Sequence, residues 1–327
     1  RSNYSCYFGA LLMTRFAIGV DLGGTNLKLG AIEEDGTLLE KIEISAETQS
    51  GPSVVVKKIC RNISELNERW GQRYKLSGIG AGIAGIMKLD EGKVITAPNL
   101  PGWEGFPVRS KIEEGIGTSF KLENDGNVAA LGEKWMGAGR NSQHLAFMTL
   151  GTGIGGGLIL DGKIWHGISG MAAELGHITV YPDGNLCNCG NYGCLEAYAS
   201  ATAIVRGAKS LIKTKQASLN LKELFVSSQE IDAKNIYRLA KSGDSSSIEL
   251  FSRMGTALGI AIAGLIHIFD IDTFVLGGGA IASWDVFKKS MFLEVGNRSF
   301  VQRADPRNIY KSELGSDAGI YGAACLS

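Results

Sequence analysis

Two stretches of this chain, about 130 residues apart, repeat one pattern, and the repeat constrains the fold more than any single motif. The first, FAIGVDLGGTNLKLGAIEEDGTLLEKIEI, alternates β-favouring residues around Gly23-Gly24 and again around Asp35-Gly36. The second, LAFMTLGTGIGGGLILDGKIWHG, runs strand, glycine-rich turn, strand, Asp161-Gly162 turn and strand. Each reads as an antiparallel meander. A duplicated domain is the economical explanation, and 327 residues leave room for two.

The material between and after the repeats is mixed. Apolar periodicity predicts a helix over Val54–Arg69, a strand over Leu76–Ile83, a polar turn at Asp90–Lys93 and a helix from near Val108. A helical region spans Ala201–Phe269, an apolar strand covers Thr273–Leu276 and ends in Gly277-Gly278-Gly279, and Ser316–Cys325 reads as a closing helix. This is an α/β chain. Residues 1–12 look unlike the regular strand pattern after Met13 and are set aside as a leader or cloning remnant. The longest apolar run, Leu258–Phe269, is interrupted by His267 and falls short of the roughly 20 residues of a membrane span, so no membrane partner is expected. With 33 basic against 33 acidic side chains, no electrostatic footprint for nucleic acid is present. Affinity must come from specific pockets.

Glycine, at 45 residues, clusters where backbone could approach a ligand closely. Gly80, Gly82, Gly85 and Gly151, Gly153, Gly156 match G-x-G-x-x-G, but both lead into strand-like sequence rather than the helix that a dinucleotide site needs. No Walker A pattern occurs. Asp21-Leu-Gly-Gly-Thr25 and Leu150-Gly-Thr-Gly153 fit hairpin turns whose N–H groups form anion nests; either alone reads equally well as an ordinary tight turn. With Asp21 and Lys28 flanking the first, the pair favours two jaws on a triphosphate and its Mg²⁺.

Cys187-x-Cys189-x4-Cys194, with His177 ten positions earlier, offers three thiolates and an imidazole, a set suited to a closed, structural zinc site. Buried or redox cysteines are the alternative. The crowding of three cysteines suits metal better than a disulfide framework and points to the cytoplasm. Glu174 and Glu196 flank these ligands, so a metal would brace both carboxylates, although solvated surface glutamates are the ordinary expectation. His144, His166, His267, Cys60 and Cys325 read as packing or solvent-facing residues.

The set Asp21-Leu-Gly-Gly-Thr25-Asn-Leu-Lys28, Glu123-Asn-Asp-Gly-Asn127, Leu150-Gly-Thr-Gly153 and Cys187-Asn-Cys-Gly-Asn-Tyr-Gly-Cys-Leu-Glu196 resembles the ROK family of the actin-like ATPase superfamily. The resemblance covers nearly everything after Met13. It implies two ribonuclease-H-like domains of the actin and hexokinase type with the active site in the cleft between them. The expected division is 13–123 plus 309–327 for the smaller domain and 124–308 for the larger one with the zinc site. It implies a sugar kinase using ATP and Mg²⁺, with Asp125 as the base and Asn99, Asn124, Glu174, His177 and Glu196 at the sugar. Asp21, Gly23, Gly24, Thr25, Lys28, Thr152, Gly153, Gly278 and Gly279 would hold ATP, and His177, Cys187, Cys189 and Cys194 a structural Zn²⁺.

Without that resemblance Asp125 reads as a helix N-cap and Asn99, between Pro98 and Leu100-Pro101, as a turn residue. Ala97–Trp103 and Ala129–Trp135 look like the sugar-side segments of the glucose-phosphorylating subgroup, so glucose at its 6-hydroxyl is the expected substrate. N-acetylmannosamine, N-acetylglucosamine, fructose and allose kinases share the framework. Ala84 stands where many relatives carry proline before the glycine, which puts the rigidity of the Gly85 loop in question. Repressors of this family carry an N-terminal winged helix. Only about a dozen residues precede the first strand here, so a kinase is expected over a sugar-responsive regulator or sensor. A homo-oligomer, dimer or tetramer, is expected.

Overall fold

The computed structural model describes residues 13–227, 231–300 and 308–327. The segment 1–12, expected to be a leader, lies outside the described residues. The first repeat forms β1 (Arg15–Leu22), β2 (Asn26–Glu33) and β3 (Leu38–Ser45), followed by α1 (Pro52–Trp70) and β4 (Lys75–Ile83). A small hairpin, β5 (Ile86–Lys88) and β6 (Lys93–Thr96), precedes α2 (Val108–Ile116), β7 (Lys121–Asn124) and α3 (Asp125–Trp135). The second repeat gives β8 (Leu145–Leu150), β9 (Ile154–Leu160) and β10 (Lys163–Ile164). Five helices come next: α4 (Glu196–Ala199), α5 (Ala201–Lys213), α6 (Leu219–Ser227), α7 (Ala233–Lys241) and α8 (Ser245–Phe269). The chain ends with β11 (Thr273–Gly277), α9 (Trp284–Arg298), β12 (Ile309–Lys311) and α10 (Ala318–Cys325).

The duplication extends through both sheets. One has the order β3-β2-β1-β4-β7 and the other β10-β9-β8-β11-β12. In each, the meander pairs antiparallel and the two added strands run parallel to the first strand of the repeat. The central strands β1 and β8 are buried along most of their length, as expected where helices cover both faces. α1 starts on Gly51 with Pro52 in its first turn and buries Val55, Ile59, Ile63 and Leu66 at helical spacing.

One detail differs from the expected division. Ile309–Lys311 pairs with Phe274–Leu276 in the second sheet, so the return to the first unit comes with α10 and not at 309. α10 lies close against the first sheet: a Cβ on Gly19 would stand 1.9 Å from Ile320 O, and one on Gly80 2.1 Å from Ala323 O. Gly80 and Gly82 of the first G-x-G-x-x-G match thus serve helix packing, against α10 and α3. α8 is long and apolar enough to cross a bilayer, but 61% of its most apolar window is buried, and its Leu250, Met254, Leu258 and Ile262 belong to the core of the second unit.

Candidate active site

The end of β7 and the start of α3 carry the densest chemistry. Asn124, not Asp125, caps the helix: its Oδ1 accepts from Gly126 N–H at 2.8 Å and Asn127 N–H at 3.2 Å. Its Nδ2 donates to Gly85 O at 3.0 Å, which fixes the loop whose rigidity the missing proline had put in question. Asp125 is thereby freed from capping and sits in the first helical turn. It lines a cavity of about 240 Å³ with Glu123, Asn124, Glu174, His177 and Met87 of the small hairpin. Burial pushes its carboxyl above the ordinary aspartate value, and the Glu174 charge adds to this, while the Gly126 N–H on Oδ1 at 3.0 Å opposes it.

Asp21 lies at the end of β1, in register with Lys28 across the β1–β2 pair. Burial raises its carboxyl to about 7, the Asp125 charge adding to the rise and Lys28 opposing it. Lys28 Nζ donates to Ser316 O at 2.7 Å, so part of its charge is spent on the segment before α10. In the first glycine turn Gly23 N–H donates to Asn26 O at 3.0 Å, and a Cβ on Gly24 would stand 2.9 Å from Asn99 Cβ. Asn99 therefore packs beside the first turn and is exposed, and it does not line the cavity that holds Asp125.

The second turn belongs to the other unit. Gly151, Thr152, Gly279 and Ser283 line a second hollow of about 300 Å³, whose apolar wall includes Ile204, Tyr237 and Phe251. Gly278 has φ +82°, and a Cβ there would stand 2.6 Å from Leu150 O and 2.7 Å from Leu150 N. The loop after β11 can lie this close to the second turn only with glycine at that position. Gly153 touches a different neighbour: Glu196 Oε2, which accepts from Ile154 N–H at 2.9 Å.

His177, Cys187, Cys189 and Cys194 bring one ligand atom each to within 4.8 Å of one another. Cys189 Sγ and Cys194 Sγ are 3.7 Å apart, and Cys187 Sγ is 3.8 Å from His177 Nδ1. A tetrahedron of sulfurs about 2.3 Å from zinc has edges of roughly 3.8 Å, so the donor set and its spacing fit that ion. His177 offers Nδ1 to the cluster while the residue also lines the Asp125 cavity. Glu196 stands at the rim of the cluster, Oε1 lying 3.7 Å from Cys187 Sγ, and is not among the cavity's lining residues. Its carboxylate links the cluster to the second turn.

One contact at this site has no counterpart among the sequence motifs. His166 Nε2 lies 2.6 Å from Glu123 Oε2, a buried carboxylate near the end of β7. The two residues are 43 positions apart and sit in no shared motif, so only the fold joins them. His144 and His267 keep their structural reading: the first accepts from Asp161 N–H at 3.2 Å through Nδ1, and the second lies against the Phe300 ring. Trp103, near the expected sugar loop, is fully buried in the core of the first unit.

The ROK family pattern matches residues 17–327. A glucokinase of Thermotoga maritima is 38% identical over 309 residues, covering 94% of this chain and 96% of its own. The crystal structure of a ROK family glucokinase from Streptomyces griseus, in complex with glucose and AMPPNP, superposes with a TM-score of 0.78 at 33% identity, covering 95% of this chain and 99% of that one. The xylose repressor of Bacillus subtilis is 28% identical over 95% of this chain and 76% of its own length.

Proposed function

Because the chain belongs to the ROK family and its two sheets are units of the actin-like ATPase fold, we propose that it is a cytoplasmic kinase that transfers the γ-phosphoryl group of ATP to the 6-hydroxyl of glucose. The observation that carries this reading is the freed aspartate. Asn124 takes over the cap, so Asp125 is left in the cavity with a carboxyl raised towards the working range of a general base. In the reaction the hydroxyl oxygen forms a bond to the γ-phosphorus, the bond from that phosphorus to the β,γ-bridging oxygen breaks, and the hydroxyl proton passes to Asp125. Phosphoryl transfer asks mainly for positioning, because its transition state is loose.

Glu174, His177 Nε2 and the second Nδ2 hydrogen of Asn124 would orient the sugar from the cavity wall, with Asn99 and Glu196 reaching it from the rim. Gly23, Gly24, Thr25, Thr152 and Gly153 would cradle the phosphates, and the adenosine would lie in the 300 Å³ hollow against Gly279, with Gly278 holding that loop beside Leu150. Asp21 would hold Mg²⁺ with Lys28 nearby; bound with ATP, that ion neutralises charge on the β- and γ-phosphates. A structural zinc on His177, Cys187, Cys189 and Cys194 would lock the imidazole tautomer and free Nε2 for a hydroxyl.

Some relatives are xylose repressors, so a regulator is the competing reading. The intact set of Asp125, Asp21 and both glycine turns favours catalysis. The test is phosphorylation by the purified protein across a panel of glucose, fructose, N-acetylglucosamine, N-acetylmannosamine and xylose. ATP-dependent formation of glucose 6-phosphate is expected, and no turnover on any sugar would leave the regulator.

A further inference from the structure

We infer that His166 is a positioning residue: its contact with Glu123 latches the segment 165–174 over the sugar cavity and holds the strand end that carries the base. This rests on the kinase reading above. Glu123 is the last buried residue of β7 before the cap, with its side chain only 5% exposed against 39% for His166. A carboxylate so buried needs several donors. Oε1 accepts from Asn124 N–H at 2.8 Å and from Asn127 Nδ2 at 2.9 Å, both from the start of α3 that follows it directly in sequence. The remaining oxygen, Oε2, takes its partner from 43 positions further along the chain, His166 Nε2 at 2.6 Å. Because a carboxylate can only accept, the imidazole carries its proton on Nε2.

His166 stands at the root of a loop. Trp165 N–H donates to Leu158 O at 2.8 Å, tying the chain to β9, and Ala172 N–H donates to His166 O at 3.2 Å, closing residues 166–172 on themselves. Gly170, Met171 and Ala172 from this loop line the cavity with Asp125. At its far end Ala173 has φ +67°, a left-handed conformation that alanine avoids, immediately before Glu174. Such a conformation persists only where its surroundings enforce it. One enforcing contact is Ala173 O against Gly156, where a Cβ would stand 2.7 Å away. The other end of the loop is held by the imidazole on Glu123. The pair therefore sets where Glu174 and the loop lie relative to Asp125, which no other side-chain hydrogen bond between this loop and β7 does among the described residues.

Three variants test the latch. His166→Ala and His166→Phe, the second keeping a ring without a donor, should raise KM for hexose roughly tenfold, the loss of one hydrogen bond to a charged group. In both, kcat should fall less than about threefold and KM for ATP should stay within about twofold, since the nucleotide hollow lies elsewhere. His166→Gln, whose amide can donate to the same oxygen, should recover most of the hexose KM. Hydrogen exchange of the peptide 165–174 in the ligand-free protein should quicken at least about fivefold in the Ala and Phe variants and not in Gln. The exchange measurement needs no turnover, so it decides the latch even if no hexose is phosphorylated, an outcome that would sink only the kinase reading. Unchanged exchange in His166→Ala, an equal rise in KM for hexose and ATP, or a Gln variant as impaired as Ala would each overturn the latch.

Discussion

Replacing Gly278 by alanine should damage the nucleotide side of the cleft selectively. The residue has φ +82° and ψ 172°, a region open almost only to glycine, so the backbone alone costs about 1–3 kcal/mol. The new methyl would also stand 2.6–2.8 Å from the O, N and C atoms of Leu150, and such overpacking against backbone costs about 1–3 kcal/mol more. Relief requires moving either the end of β8 or the loop after β11, and residues following both line the 300 Å³ hollow. A loss of at least about 2 kcal/mol must therefore appear in folding stability, in ATP affinity, or divided between them. If all of it fell on ATP, Kd would rise about thirtyfold. Urea denaturation of the ligand-free protein gives the first share, and calorimetry with a non-hydrolysable ATP analogue gives the second. Glucose affinity should stay within about threefold of the parent. A variant with the parent's urea midpoint and the parent's ATP affinity would refute the reasoning.

Purified protein should hold one zinc per chain, and Cys189→Ser less than about half, by metal analysis; an unchanged content would remove the site. Stripping the metal should weaken glucose binding by roughly 10- to 100-fold through His177, and also loosen nucleotide binding because Glu196 joins the cluster to Ile154 N–H; calorimetry with each ligand reads both. Asp21→Asn should abolish turnover yet stabilise the ligand-free protein at pH 8. A carboxyl raised to about 7 binds its proton more tightly when folded, so stability falls as pH climbs from about 4 to 7. Removing that charge should return on the order of 1–4 kcal/mol, read by urea denaturation at pH 5 and pH 8, with the smaller part of the gain at pH 5 and the full gain at pH 8. Glu133→Ala should cost several kcal/mol, because this fully buried carboxylate accepts from Ser312 Oγ and from Ala138, Glu313 and Leu314 N–H, which would be left without partners; denaturant midpoints check it.

The repeat was legible because a meander writes itself into alternation and turn residues over short distances. Of the parallel strands added to the sheets, β4 and β11 were legible as the runs Leu76–Ile83 and Thr273–Leu276, whereas β12 was not. Ile309–Lys311 is only three residues long, and its place beside β11 depends on long-range pairing that no local pattern encodes, which is why the boundary at 309 failed. The metal set was legible because the ligands Cys187, Cys189 and Cys194 crowd into eight positions. In Asn124 and Asp125 two neighbouring residues could each cap a helix, and only the backbone geometry shows that Asn124 does so. His166 carried no signal at all, since its partner Glu123 lies 43 positions earlier in the chain and shares no motif with it.

The central claim is that Asp125 removes the proton from a hexose hydroxyl while phosphate moves. Asp125→Asn keeps the size and a hydrogen-bonding group but cannot take that proton, and Asn124 still caps α3. Turnover of ATP with glucose should fall at least about a hundredfold, the low end of a general base's contribution, with glucose Kd by calorimetry within about threefold. Turnover near the parent's level with glucose still bound would contradict the account, because the aspartate would then be present in the cavity without being needed as a base.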